Sequence, residues 1–228
     1  MPSSEAILGG VTAIANQWRG LAIGWHVLFG SLLAGLLIGW RPSNRVAGCL
    51  LAAPFLSVSA LAWSSGNPFN GTVFAALALL LLAGAGRLSK APVRIASSLL
   101  FVPGALLVAF AWVYPHFLAV DRWTTYMYAS PLGLIPCPTL SAVIGVTLIA
   151  DCLHSRAWAT TLGVAGLIYG AIGVFRLGVV LDYGLLAGAV VLLAAVACSF
   201  STTCFVSLGS SVEAREQRGG HPSHAMPR

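Results

Sequence analysis

One stretch of the chain concentrates residue types that can do chemistry: Ser130-Pro131-Leu132-Gly133-Leu134-Ile135-Pro136-Cys137-Pro138-Thr139-Leu140. Three prolines in eight residues cannot form a regular helix. Each lacks an N–H, and each disfavours helical geometry in the residue before it. Pro138 suits the first position of a helix, which places Cys137 at the N-cap. The unpaired N–H groups and the dipole at a helix start favour the thiolate, the reactive and metal-binding form of cysteine. The same N–H groups can hold an anion instead. Three readings stay open: a rigid, well-packed break; a ligand or substrate site built by Pro136, Cys137, Pro138 and Thr139; or thiol redox chemistry at Cys137.

Other polar side chains fall on the same side of the chain's expected arrangement. They are His26, His116 after Tyr114-Pro115, Asp121 with Arg122, and Arg176 with Asp182. Ionisable groups at membrane depth are costly and mark functional sites. Cysteine, histidine and aspartate together suit a transition metal. No pair here has metal-ligand spacing, so no metal or cofactor is assigned. The alternative is that Asp121/Arg122 and Arg176/Asp182 are interfacial ion pairs and His26 is a satisfied core histidine. Asp151, His154 and Arg156 read as loop and orientation residues. The only lysine, Lys90, is in a loop, which excludes a retinal Schiff base. There is no P-loop, dinucleotide fingerprint, nucleophile elbow or H-E-x-x-H motif, so no enzymatic reaction is assigned.

The elements that position these residues follow from composition. Of 228 residues, 58% are hydrophobic and 8% charged, against about 25% charged in a soluble domain. The mean hydropathy is +0.89. Continuous apolar runs such as Val73 to Ala83 and Gly184 to Ala197 suit helices crossing ~30 Å of hydrocarbon. A β-barrel would show alternation instead. The fold class is therefore an all-α integral membrane protein of about seven transmembrane helices, with helix five broken at Pro136-Cys137-Pro138. The spans are expected at Trp18–Trp40, Val46–Trp63, Thr72–Leu88, Ile95–Tyr114, Pro131–Leu153, Ala157–Phe175 and Tyr183–Phe205. Residues 1–17 form an interfacial helix or lead-in, 18–205 the bundle, and 206–228 a disordered cytoplasmic tail. A helix from Pro138 to Leu153 is only ~24 Å long, so residues 131–137 must lie at membrane depth as irregular chain. Such chain is tolerated only when buried in protein or lining a wet cavity.

Nine Lys and Arg residues fall in the loops and tail of one side and three on the other. The positive-inside rule then puts the N-terminus outside and the C-terminus in the cytoplasm of a bacterial inner membrane. Trp18, Trp40, Trp63, Trp112, Trp123 and Trp158 fall near span ends or in a loop, as an interfacial belt should. The pairs Gly20/Gly24, Gly35/Gly39 and Gly166/Gly170 let helix backbones approach. They pack within one bundle or form a homo-oligomer face. The net charge of +6 is read as orientation signal, not nucleic-acid binding, and the bilayer is the expected partner. Five cysteines without paired spacing imply no disulfide framework. The first charge is Glu5 and no basic region precedes an apolar run, so no signal peptide is expected.

With these residues in view, the chain resembles a bacterial multi-pass membrane family, the domain of unknown function 6064. The resemblance rests on Gly133 to Thr139, a Gly-x-x-Pro-Cys-Pro-Thr stretch following Tyr114-Pro115. Asn67-Pro68-Phe69-Asn70 and Asp182-Tyr183-Gly184-Leu185-Leu186 add to it over residues 18–195. Leu140 departs from the second threonine expected there. The resemblance implies the multi-pass architecture and the same segment, and it brings no reaction. Three functional classes follow from the residues. The first is a permease or small-solute channel with a site at the helix-five break. The second is a structural or accessory membrane subunit. The third is a metal- or haem-binding or thiol-redox protein using Cys137 with His26 or His116.

Overall fold

The structure, a computed structural model, describes residues 3–198. The expected tail at 206–228 and the end of the seventh span lie outside the described residues. Among the described residues every regular element is helical. Serine and asparagine side chains start several of the helices. In α1, Ser4–Gln17, the Ser3 hydroxyl accepts from the Ala6 N–H. In α3, Asn44–Ser64, Ser43 accepts from the Val46 N–H. In α4, Pro68–Arg87, Asn67 accepts from the Asn70 N–H and Pro68 takes the first position. Each of these caps satisfies a donor that a helix start leaves unpaired. Between α1 and α3 runs α2, Arg19–Leu37, separated from α1 by a bend at Trp18.

The second half contains α5, Ser98–Val113; a short α6, Tyr126–Ala129; α7, Pro136–Ile149; α8, Arg156–Ala171; and α9, Val180–Cys198. A π-helical turn, Ile172–Arg176, continues α8. Five helices are long and apolar enough to cross a membrane: α2, α3, α4, α8 with its π turn, and α9. The other two apolar helices, α5 and α7, are shorter. Residues 3–17 form a distinct helix, α1, with its own cap.

The core is centred on α7. Every residue from Pro138 to Ile149 is buried, the expected state of a helix that is apolar all round. Its fourteen residues cover only ~21 Å. It meets α5 at a glycine-to-glycine crossing. A Cβ on Gly104 would lie 2.8 Å from the Gly145 carbonyl oxygen, and a Cβ on Gly145 2.8 Å from that of Gly104. α3 and α4 pack side by side through Gly48 against Ala85, through Phe55 against Phe74, and through the Ser59 hydroxyl, which donates to the Gly71 carbonyl at 2.7 Å.

On the arginine-rich side, the loops before α3 and after α4 are laced together. Asn44 N–H donates to Ala91 O and Val93 N–H to Pro42 O, and the buried Asn44 amide donates to Ser89. The glycine pairs divide. Gly166 packs α8 on Ile144 and Ala189, and Gly170 packs on Leu186, whereas a Cβ on Gly20 or Gly24 would meet nothing within 4 Å. Gly39 serves a left-handed turn, φ +94°. Trp158 departs from the expected belt. It is buried, and its indole N–H donates to Thr147 at 3.2 Å, because α8 leans on α7 there.

Candidate functional site

The proline-rich segment is a closed knot of turns. Pro131 O accepts from the N–H of both Leu134 and Ile135, and Ser130 O accepts from Leu132 N–H. Gly133 adopts φ +73°, and a Cβ there would lie 2.2 Å from Trp25 Cδ1, so both conformation and space require glycine. Its carbonyl accepts from Ser57 Oγ on α3. Thr139 then ties the knot to the helix. Its hydroxyl accepts from Gly133 N–H at 2.9 Å and donates to Ile135 O at 2.7 Å. These bonds meet the requirement that buried backbone groups be paired.

The helix begins two residues earlier than the sequence suggests. Pro136 is the first helical residue, Ile135 is the N-cap, and Cys137 lies inside the first turn. Both prolines are accommodated because first-turn N–H groups have no intrahelical partner to lose. Cys137 is thus not the capping residue. Its accessibility distinguishes it: from Pro131 to Leu140, Pro136 and Cys137 alone are half-buried and the rest are buried. That pair faces a hollow.

The hollow is a cavity of about 220 Å³ roofed by α1 through Ile7, Leu8 and Val11. Pro136, Cys137, Tyr169, Gly173, Asp182 and Asn70 are among its walls. A second hollow of about 230 Å³ adjoins it, sharing Ile7, Asn67, Asn70 and Pro136. At the inner wall, Asp182 is 1% exposed. The fully buried Tyr114 hydroxyl donates to Asp182 Oδ1 at 2.7 Å, and Cys137 lines the same cavity as this carboxyl group. The second oxygen, Oδ2, occupies the place where a side chain on residue 173 would begin: a Cβ there would lie 1.8 Å away. The π turn at Ile172–Arg176 brings this glycine to the carboxylate, and such turns are frequent at functional sites. Beside it, the Tyr169 hydroxyl donates to Asn70 Oδ1 at 3.1 Å. An apolar cavity with a few convergent polar groups is the ordinary form of a small-molecule site.

The roof is fastened at both ends. The Ser4 hydroxyl donates to Arg176 O at 3.2 Å. Asn16 donates to Phe117 O at 2.9 Å and accepts from Ala119 N–H at 2.9 Å, while Arg19 donates to Ala119 O at 2.9 Å.

The other candidates separate. His26 is 4% exposed and stands away from the cavity, between α2 and α5. Its Nδ1 is 2.8 Å from Ala22 O and its Nε2 3.1 Å from Trp112 O, with Ser130 Oγ 3.3 Å away. That is the arrangement of a core histidine with both nitrogens engaged. His116 is exposed, rests edge-on against Phe117 at 4.1 Å, and is near enough to Asp182 to interact with its charge. Asp121 and Arg122 are exposed in the loop. Asp182 is buried and turns inward to Tyr114 instead of forming the expected surface pair with Arg176. On the opposite side, Asp151 pairs with His154 at 3.5 Å. No three His, Cys, Asp or Glu side chains are grouped for a metal among the described residues. Tyr169 and Gly173 gave no signal in the sequence, and Asn70 appeared there only within the Asn67–Asn70 motif.

No protein-family model, no curated protein and no solved structure matches this chain. The resemblance noted above therefore rests on the Gly133–Thr139 motif and its companions alone.

Proposed function

We propose that this chain is a seven-span membrane permease or channel for a small solute, which occupies the cavity beneath α1 from the side opposite the arginine-rich loops. The observation that carries this reading is the cavity itself, which meets the start of the proline-broken helix at Pro136 and Cys137. The seven spans are the five long helices together with α5 and α7, whose short lengths are made up by irregular chain. With nine basic residues on one side, the N-terminus and α1 are external and the C-terminus is in the cytoplasm of a bacterial inner membrane. Irregular chain at membrane depth beside a substrate site is a recurring feature of transporters. The largely apolar walls suit an apolar solute body, and Asp182, Cys137, Tyr169 and Asn70 supply hydrogen bonds that orient it. α1 is the element that opens, since a few side-chain-to-backbone bonds at its ends hold it.

The test uses a variant keeping Cys137 as its sole cysteine, folded in right-side-out vesicles, with a membrane-impermeant maleimide. Labelling from outside, slowed by solutes that are transported, is the expected result. Complete protection of Cys137 in the folded protein would overturn the reading. A structural role has one specific observation behind it, the burial of the Tyr114–Asp182 hydrogen bond, which joins the end of α5 to the start of α9. In that case Asp182→Asn lowers stability and leaves Cys137 inaccessible.

A further inference from the structure

A third hollow of the molecule shares no wall with the cavity beneath α1 or its neighbour and lies on the face between α2 and α5. These two helices touch near their outer ends. There His26 meets Trp112, with ring centroids 4.8 Å apart, and Gly30 admits the Trp112 ring so closely that a Cβ would stand 3.2 Å from it. Toward the arginine-rich side they diverge and leave a groove of about 480 Å³. Leu33 and Leu36 form one wall, Ala105 and Val108 the other, and Ile149 at the end of α7 closes the floor. From Phe101 to Trp112 the groove follows ~16 Å of α5, about one leaflet of a ~30 Å hydrocarbon core.

At the wide end stands Arg41, which also lines the groove. Its Nη1 donates to Leu36 O and Trp40 O. Its Nε and Nη2 donors have no partner among the described residues. Arg94, exposed and directly before the groove residue Ile95, adds a second positive charge. The nearest acidic residue in sequence to the groove floor is Asp151, already paired with His154. Guanidinium donors match phosphate geometry and hold it by charge-assisted hydrogen bonds.

We infer that this groove is a binding site for one anionic phospholipid of the inner leaflet, with an acyl chain between α2 and α5 and the headgroup phosphate on Arg41. The inference rests on the membrane placement proposed above and is independent of any solute in the other cavity. An empty apolar gap of this size forfeits dispersion contacts along both walls, and the hydrocarbon tail of a lipid restores them. The charge at the mouth selects which lipid supplies the tail.

The experiment uses the full chain, purified and delipidated in detergent. It is mixed with phosphatidylglycerol or with phosphatidylcholine of identical acyl chains, and bound lipid is counted by native mass spectrometry. One phosphatidylglycerol is expected per chain at concentrations where phosphatidylcholine is not retained. Loss of a charge-assisted hydrogen bond corresponds to roughly tenfold in affinity, so Arg41→Gln should weaken phosphatidylglycerol about tenfold. Ala105→Trp, which fills the groove, should exclude both lipids. Thermal unfolding of the same samples separates misfolding from lost binding: Arg41→Gln, which gives up its bonds to Leu36 O and Trp40 O, should still unfold cooperatively and should lose the rise that phosphatidylglycerol confers. Equal retention of the two lipids, retention unaffected by Arg41→Gln, or the same stabilisation by inorganic phosphate alone overturns the inference.

Discussion

Gly173→Ala offers a direct test of the carboxylate pocket. In an ordinary helix this change is favourable by roughly 0.5–1 kcal/mol, because glycine loses more backbone entropy on folding. Here the sign reverses. The added methyl would lie 1.8 Å from Asp182 Oδ2, 2.7 Å from its Cγ and 2.9 Å from its Cβ. A flexible side-chain tip could swing aside; Asp182 Cβ cannot move without moving the start of α9. Overpacking of this kind costs about 1–3 kcal/mol. Displacing Asp182 also breaks its bond with the Tyr114 hydroxyl, which is buried, at a further ~1–3 kcal/mol. After the entropic gain is subtracted, the net loss is about 1–5 kcal/mol. For a chain of this size that lowers the unfolding midpoint by roughly 2–20 °C. The assay is thermal unfolding in detergent, with Gly24→Ala as control, since a Cβ on Gly24 meets nothing within 4 Å. In an Asp182→Gly background all three offending atoms are gone, and most of the Gly173→Ala penalty should vanish. A Gly173→Ala protein that melts with the wild type, or additive effects in the double variant, would refute the reasoning.

The remaining predictions concern the roof and the inner turn. Asn16→Ala removes two of the bonds that fasten α1 to the loop at Phe117–Ala119. It should speed maleimide labelling of Cys137 severalfold while changing the melting midpoint little; unchanged labelling would show that α1 does not control entry. Cys152 sits in the turn between α7 and α8, outside the spans. Burial, with the Asp151 charge adding to it, pushes its thiol from the usual 9.0 up to about 11. The folded state therefore holds this proton longer than the unfolded state does. The associated stability is fully present below pH 9.0 and is lost as pH rises through about 11. Unfolding midpoints measured across that window should fall less steeply for Cys152→Ala than for wild type.

The long spans are legible in the sequence because a bilayer imposes one demand on them, a run of apolar residues long enough to cross. The expected Val46–Trp63 and Thr72–Leu88 follow from that demand, and the helices differ from them chiefly at their starts, Asn44 and Pro68, which the caps Ser43 and Asn67 set. α7 starts at Pro136, two residues before the first position the sequence suggests. Pro136 and Pro138 both suit a first turn, and only the threonine bridge from Thr139 to Gly133 and Ile135 decides between them. Trp158 reads as an interfacial residue by position and proves to be core, because its indole finds Thr147 eleven residues away.

The cavity was the least legible part, for a physical reason. Its hydrogen bonds join residues far apart in the chain, Tyr114 with Asp182 and Asn70 with Tyr169. Sequence proximity favoured Asp182 with Arg176 instead. What overrides proximity is Gly173, whose missing side chain leaves the space that Asp182 Oδ2 occupies. The same reasoning bears on the proline-rich segment before and at the start of α7. A break that serves packing alone needs every residue of the knot buried, and Pro131 through Ile135 and Pro138 through Leu140 are. Pro136 and Cys137 are the exceptions. A half-open thiol beside a half-open proline, in one cavity with a buried carboxyl group and under a helix held by its ends, is what the proposed solute site requires of the start of α7.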